Sequence, residues 1–242
     1  MRIPYGDDLN QFGDLLLPEA SGPHPVVVAI HGGFWRARFD LDHMAPVCAD
    51  LALHGVATWN IEYRRIGQSG GGWPGTAQDA LKAFQYLETL AAVHPLDLDR
   101  VVLLGFSAGG HLALWIAGQR DRPAISGVVS LAGVADLRLG SEMRLSNGVV
   151  DEFMSGGPLD VAASPIFLLP TGVKTRLVHG ASDLTVPIEI ARQYTAAAIA
   201  AGDDTELIAL PNTDHSPLID PDSDAWRVVR DVVFALLRRY YH

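Results

Sequence analysis

The five residues Gly105-Phe106-Ser107-Ala108-Gly109 constrain this chain more than any other stretch, because of what flanks them. Ahead of them Val101-Val102-Leu103-Leu104 is an unbroken apolar run of strand length, as expected for a strand covered on both faces. Behind them His111-Leu112-Ala113-Leu114-Trp115-Ile116-Ala117 reads as a helix, with Gly118 placed to end it. A strand that turns sharply into a helix forces the serine between them into strained backbone angles. Its side chain is then left exposed at the carboxyl edge of a sheet. Glycine on either side removes Cβ atoms that would collide with the neighbouring strand and helix. The helix also aims its first amides at the site, where developing negative charge is favoured. Ser107 is therefore the candidate nucleophile.

The rest of the chain repeats this grammar. Apolar runs at residues 25–30, 56–63, 100–106, 125–131, 175–179 and 206–210 alternate with helix-period segments, and residues 12–17 can add an edge strand. That alternation specifies an α/β fold with a mostly parallel central sheet and helices on both faces. Local signals punctuate it. Asp42 is expected to cap the first helix, and Thr76-x-x-Asp79 resembles a capping box. Pro187 suits the first turn of a later helix that Gly202 ends, and residues 222–240 form the closing helix. Residues 133–172 break the rhythm with polar and Gly/Pro-rich pieces and read as a small cap-like insertion. No repeat or linker divides the sequence. With 242 residues, 48% of them hydrophobic, it is read as one domain over residues 1–242.

Composition narrows the function. Eighteen basic against 28 acidic residues give a net charge of −10, and no basic cluster exceeds Arg238-Arg239, so nucleic acid is not the expected partner. Cys48 is alone, which excludes an internal disulfide. The N-terminal residues contain no apolar run of the signal-peptide kind, and no apolar stretch approaches the roughly 20 residues of a membrane span. A cytoplasmic location without membrane attachment is expected. Homodimer formation is compatible with the sequence but not derivable from it.

Three further parts of a hydrolytic site can be placed. His31-Gly32-Gly33-Phe34-Trp35 follows the first buried strand, where glycine lets the backbone approach a substrate. The amide of Gly33 or Phe34, together with that of Ala108, is expected to form an oxyanion hole. Of nine histidines, His215 alone follows the last strand in a loop, at the position required by the chain order Ser, acid, His. His31 braces the oxyanion loop, and His111 has a packing or hydrogen-bonding role. Asp183 lies between the strand at 175–179 and the helix opened by Pro187, where it can orient the His215 imidazole. Asp214 and Asp136 are its rivals. Trp35 and Trp73 are candidate walls of an apolar pocket, with Arg36 and Arg38 read as solvated loop residues. No metal site is expected, since Asp40 and Asp42 near His43 read as loop and cap residues.

These motifs resemble the α/β-hydrolase superfamily over nearly the whole chain. The HGGFW and GFSAGGHL segments are similar to the kynurenine formamidase branch and nearby carboxylesterases. His179-Gly180-x-x-Asp183-x-x-Val186-Pro187 resembles the acid loop of prolyl-oligopeptidase-like and dienelactone-hydrolase-like members. The resemblance implies a Ser107–His215–Asp183 triad, an acyl-enzyme intermediate, a small-molecule acyl substrate and no cofactor. The first expectation is a carboxylesterase acting on small to medium esters. An arylformamidase cleaving an N-formyl amide is the alternative. A non-catalytic small-molecule-binding homologue is the reading from another class.

Overall fold

The computed structural model of the protein describes residues 1–238. Eight strands form one sheet: β1 (Arg2–Pro4), β2 (Phe12–Leu16), β3 (His24–Ile30), β4 (Ala57–Ile61), β5 (Leu96–Phe106), β6 (Gly127–Leu131), β7 (Thr175–Gly180) and β8 (Thr205–Leu210). Their order is β1-β2-β4-β3-β5-β6-β7-β8. The contacts of β2 with β1 and with β4 are antiparallel, and every pairing from β4 to β8 is parallel. Residues 12–17 thus supply a strand near the edge as expected, but Arg2–Pro4 lies outside it.

Alternate residues of the central strands enter two separate cores. Val26, Val28, Ile30, Val101 and Leu103 join one cluster; Val27, Ala29, Val102, Leu104 and Phe106 join the other. A strand exposes successive side chains to opposite faces, so the unbroken apolar runs are explained by helices covering both. The first cluster takes in α2 (Gly75–Gln85), α3 (Leu87–Ala91), α4 (Ala108–Ala117) and α7 (Glu189–Ala200). The second takes in α1 (Ala45–Leu53) and α8 (Asp224–Leu237). The insertion carries α5 (Leu137–Glu142) and α6 (Val149–Phe153) with short 3-10 turns.

Several local signals act differently from the sequence reading. Asp40, not Asp42, caps: its carboxylate accepts from the Asp42 N–H at 3.1 Å, opening a 3-10 turn at Leu41–Met44 that precedes α1. The Thr76/Asp79 capping box does not form, because α2 starts at Gly75 with Pro74 at the cap position, which puts Thr76 inside the helix. Thr76 Oγ1 instead donates to Arg64 O. Asp79 is buried and accepts from the Arg64 guanidinium at 2.7 Å and from Gln11 Nε2 at 2.7 Å. A buried carboxylate takes the strongest donors in reach. In α8, Ser223 is the cap and the helix ends at Leu237; the expected extension to Tyr240 lies outside the described residues.

The register places the site. Ile30 of β3 pairs with Gly105 of β5, and Gly105 pairs with Ser130 of β6. Leu131 of β6 pairs with Val178 of β7, and Gly180 of β7 with Leu210 of β8. The loops beginning at His31, Ser107, Ala132, Ala181 and Pro211 therefore all leave one carboxyl edge. In open α/β sheets that edge is where ligands are handled.

Candidate active site

Ser107 sits at the junction of β5 and α4 with φ 55° and ψ −116°, the strained turn expected from the motif. A non-glycine residue at positive φ costs on the order of 1–2 kcal/mol. Its N–H donates to Leu131 O at 2.7 Å, so the neighbouring strand supports the turn. A methyl group at Gly109 would collide with the carbonyls of Ile30 and His31, which shows how closely the first turn of α4 packs on the loop that follows β3. The expected exposure is corrected: Ser107 stands at the carboxyl edge of the sheet but is only 2% exposed, covered by the loops around it.

That loop is bent in the same way. Gly33, Phe34 and Trp35 have φ of 107°, 54° and 56°, three left-handed residues in succession. Among the described residues, the amides of Gly33, Phe34 and Ala108 donate to no protein acceptor. His31 braces the loop, as expected, and the means of bracing are now visible. Its Nδ1 donates to Gly32 O at 2.8 Å, and its Nε2 lies 3.0 Å from Glu62 Oε1. The ring stacks on Tyr63 with centroids 4.3 Å apart, and Tyr63 Oη donates to His31 O at 2.7 Å. Glu62 is 1% exposed and also accepts from the Leu41 and Tyr63 amides, with Arg65 Nε at 3.3 Å. The sequence reading passed over Glu62, Tyr63 and Arg65. Their signal was a polar run, Glu62-Tyr63-Arg64-Arg65, directly after a fully buried strand.

Asp183 and His215 meet. The Asp183 Oδ2 accepts from His215 Nδ1 at 2.6 Å, with the carboxylate buried and the imidazole 10% exposed. The other oxygen, Oδ1, accepts from the Thr185 and Val186 amides at 2.8 and 2.9 Å. Burial by itself would push the Asp183 carboxyl up; hydrogen bonds from His179 and His215, the His215 charge and the Val186 N–H overcome it and hold the group well below the usual carboxylate range. The two loops are tied together, since Ser182 N–H donates to Thr213 O at 3.0 Å. Gly180 is needed there, because a side chain would strike the Thr213 and Asp214 carbonyls. The His215 ring lies against Phe106, next to the serine, with centroids 4.6 Å apart.

The rival acids are occupied elsewhere. Asp214 accepts from the His215 backbone N–H at 2.8 Å rather than from its ring. Asp136 caps α5 through Arg138 N and Leu139 N. His43 rests edge-on against Phe106, with centroids 5.4 Å apart. Burial, followed by the nearby His31 and His215, pushes His43 below the ordinary histidine value.

The candidate pocket walls separate. Trp35 is a correction: it is fully buried, stacked on Phe153 at 4.5 Å and edge-on to His111 at 5.1 Å, so it packs the insertion and lines no open cleft. The left-handed backbone at residue 35 turns the indole inward. Trp73 is half-buried, and its Nε1 donates to Asp160 Oδ2 at 3.0 Å. His111 Nε2 donates to Ala163 O at 2.8 Å and Trp115 Nε1 to Ala162 O at 2.9 Å. Arg36 is no free solvated residue: it forms a two-pronged pair with Glu152 at 2.7 and 2.9 Å and donates to Ser146 Oγ at 2.8 Å. Among the described residues no cluster of three or more metal-ligating side chains occurs, and no helix is long and apolar enough to cross a membrane.

Comparison with known proteins agrees with this architecture. The chain is 26% identical over 212 residues to "Esterase LipQ" of Mycobacterium tuberculosis, covering 79% of this chain and 50% of that protein. It thus spans about half the length of that relative. Among solved structures it superposes on a "Truncated form of carbohydrate esterase from gut microbiota" with TM-score 0.81 and 21% identity, covering 98% of this chain and 95% of that one. It also superposes on the propionate-bound Est2 esterase of Thermogutta terrifontis with TM-score 0.80 and 21% identity, covering 98% and 93%. The fold is that of the α/β-hydrolases. The family model BD-FAE matches residues 14–197, and the chain belongs to that α/β-hydrolase family.

Proposed function

We propose that this protein is a serine hydrolase of small to medium carboxylic esters, working through Ser107, His215 and Asp183 and an acyl-enzyme. One observation carries the reading: the 2.6 Å Asp183–His215 hydrogen bond lies at the same sheet edge as the strained Ser107. The family membership and the esterase names of the relatives support it.

The chemistry follows from the geometry. Asp183 accepts from Nδ1 and so leaves Nε2 of His215 as the basic nitrogen. His215 takes the Ser107 proton as the hydroxyl oxygen attacks the substrate carbonyl. The carbonyl oxygen gains a full negative charge, which the Ala108 amide and the Gly33 or Phe34 amide stabilise. These donors need no reorganisation, because their loops are already fixed by Glu62, Tyr63 and the β5–α4 turn. His215 then protonates the departing alcohol, and later removes a proton from the water that releases the acid.

The test is a substrate panel of p-nitrophenyl acetate, p-nitrophenyl butyrate and N-formylkynurenine, with Ser107→Ala as control. Ester turnover that falls by at least about 10⁴-fold in the control is expected. A preference of about 100-fold for the formyl amide, some 3 kcal/mol in transition-state binding, would replace the ester reading with the formamidase suggested by the HGGFW motif. Ligand binding without turnover of any of the three would favour a non-catalytic binding protein.

A further inference from the structure

His179 takes no part in the mechanism above, yet it lies against its acid. It is the fifth residue of β7 and is fully buried. Its Nε2 is 2.8 Å from Val186 O and 3.5 Å from Asp183 Oδ2. That oxygen is the one accepting from His215 Nδ1 at 2.6 Å. A carbonyl only accepts, so Nε2 of His179 carries the hydrogen, while Nδ1 is buried without a partner among the described residues. Val186 is consequently held at both ends: its N–H donates to Asp183 Oδ1 at 2.9 Å, and its carbonyl accepts from His179. The acid loop is closed into a ring that begins and ends on β7.

We propose that His179 is a positioning residue for the Asp183–His215 pair. It shuts the acid loop through Val186 and stands 3.5 Å from the carboxylate oxygen that orients the base. The inference rests on the serine-hydrolase reading above. The His179 N–H, given to Val186 O, still draws on the charge of that oxygen from this distance. Without His179, Asp183 becomes a stronger acceptor for His215 but a less precisely placed one. Turnover then falls through kcat rather than KM, and the His215 ring takes up its proton at higher pH. The other charged or titratable groups near the pair stay in place: Asp214 on the His215 backbone, and His43 across Phe106 with His31 behind it.

The full chain is compared with His179→Leu, which has no donor, and His179→Gln, whose amide nitrogen can take the place of Nε2. Two readouts are used: kcat and KM on p-nitrophenyl acetate from about pH 5 to 9, and an NMR titration of the His215 ring. The Leu variant is expected to lose on the order of 10- to 100-fold in kcat with KM within about twofold. Its His215 titration, and the acid limb of kcat/KM, move upward; the Gln variant restores both. A folded Leu variant that turns over and titrates like wild type overturns the proposal, as does equal loss in both variants or a downward shift. Where the Leu variant does not fold, His179→Asn, too short to reach Val186 O, takes its place against Gln. The ring titration needs no substrate, so it decides the role of His179 separately. Absence of ester turnover in the wild type counts against the hydrolase reading alone.

Discussion

At the carboxyl edge of the sheet, Ser107 is placed by a backbone bond to Leu131, and the Asp183 loop by amides of its own residues and by Thr213 O. Residues 133–172, lying next to that edge, are tethered by side chains from elsewhere: Arg36 to Glu152 and Ser146, Trp73 to Asp160, His111 to Ala163 and Trp115 to Ala162. The first region inherits its precision from strand register, which a single residue cannot shift without dislocating the core. The second can be loosened one side chain at a time.

Asp183→Asn should break the first region most deeply. The amide presents the wrong hydrogen-bonding group to Nδ1 and gives up the buried charge that His215 and the Val186 N–H stabilise, so kcat should drop by roughly 10³- to 10⁴-fold with a lower thermal midpoint. Initial rates on p-nitrophenyl acetate with a parallel melt check this. If Arg36→Ala costs as much activity, the division between the two regions is wrong.

His111 sharpens the second region through pH. Burial pushes its imidazole down to about 4, despite the favourable bond to Ala163 O. The unfolded chain takes up this proton near 6.5, the folded chain only near 4, so stability present above pH 6.5 is lost as pH falls through that window, by up to about 3 kcal/mol. Melting curves of wild type and His111→Gln between those values should diverge, the variant showing the shallower dependence.

Smaller effects follow. Arg36→Ala removes the Glu152 and Ser146 contacts at a half-exposed site and should cost about 1 kcal/mol, with faster amide exchange over residues 145–163 and less than about fivefold change in turnover. Trp73→Phe loses the bond to Asp160 and part of the packing on Trp115 and Phe153, and should cost about 1 kcal/mol by denaturant unfolding. Faster exchange in residues 145–163 without loss of turnover is the signature of a tethered, chemically silent segment.

The same contrast explains what could be read from the sequence. Ser107 and Asp183 were legible because each follows a buried strand, and His215 because it follows the last strand; strand order alone brings their loops to one edge. The insertion was legible only as an interruption. Its contacts join residues 116 apart for Arg36 and Glu152 and 87 apart for Trp73 and Asp160, and no local pattern announces them. Trp35 was misplaced for the same reason: an aromatic after an oxyanion loop looks like a pocket wall until Phe153 is found stacked on it. Thr76 and Asp79 match a capping pattern, yet a two-pronged arginine partner for the buried Asp79 outweighs a cap worth about 1 kcal/mol. Glu62 was overlooked because a carboxylate after a strand is ordinarily a surface residue, and only its burial beside His31 reveals it as a brace.

On the function proposed above, Ser107 is a nucleophile made reactive by a loop some hundred residues later. Labelling with a fluorophosphonate, followed by mass mapping of the modified peptide, measures it directly. The adduct should sit on Ser107 alone, vanish in Ser107→Ala, and form at least about 100-fold more slowly in His215→Ala. A label on another serine, or unchanged kinetics without the imidazole, would contradict it.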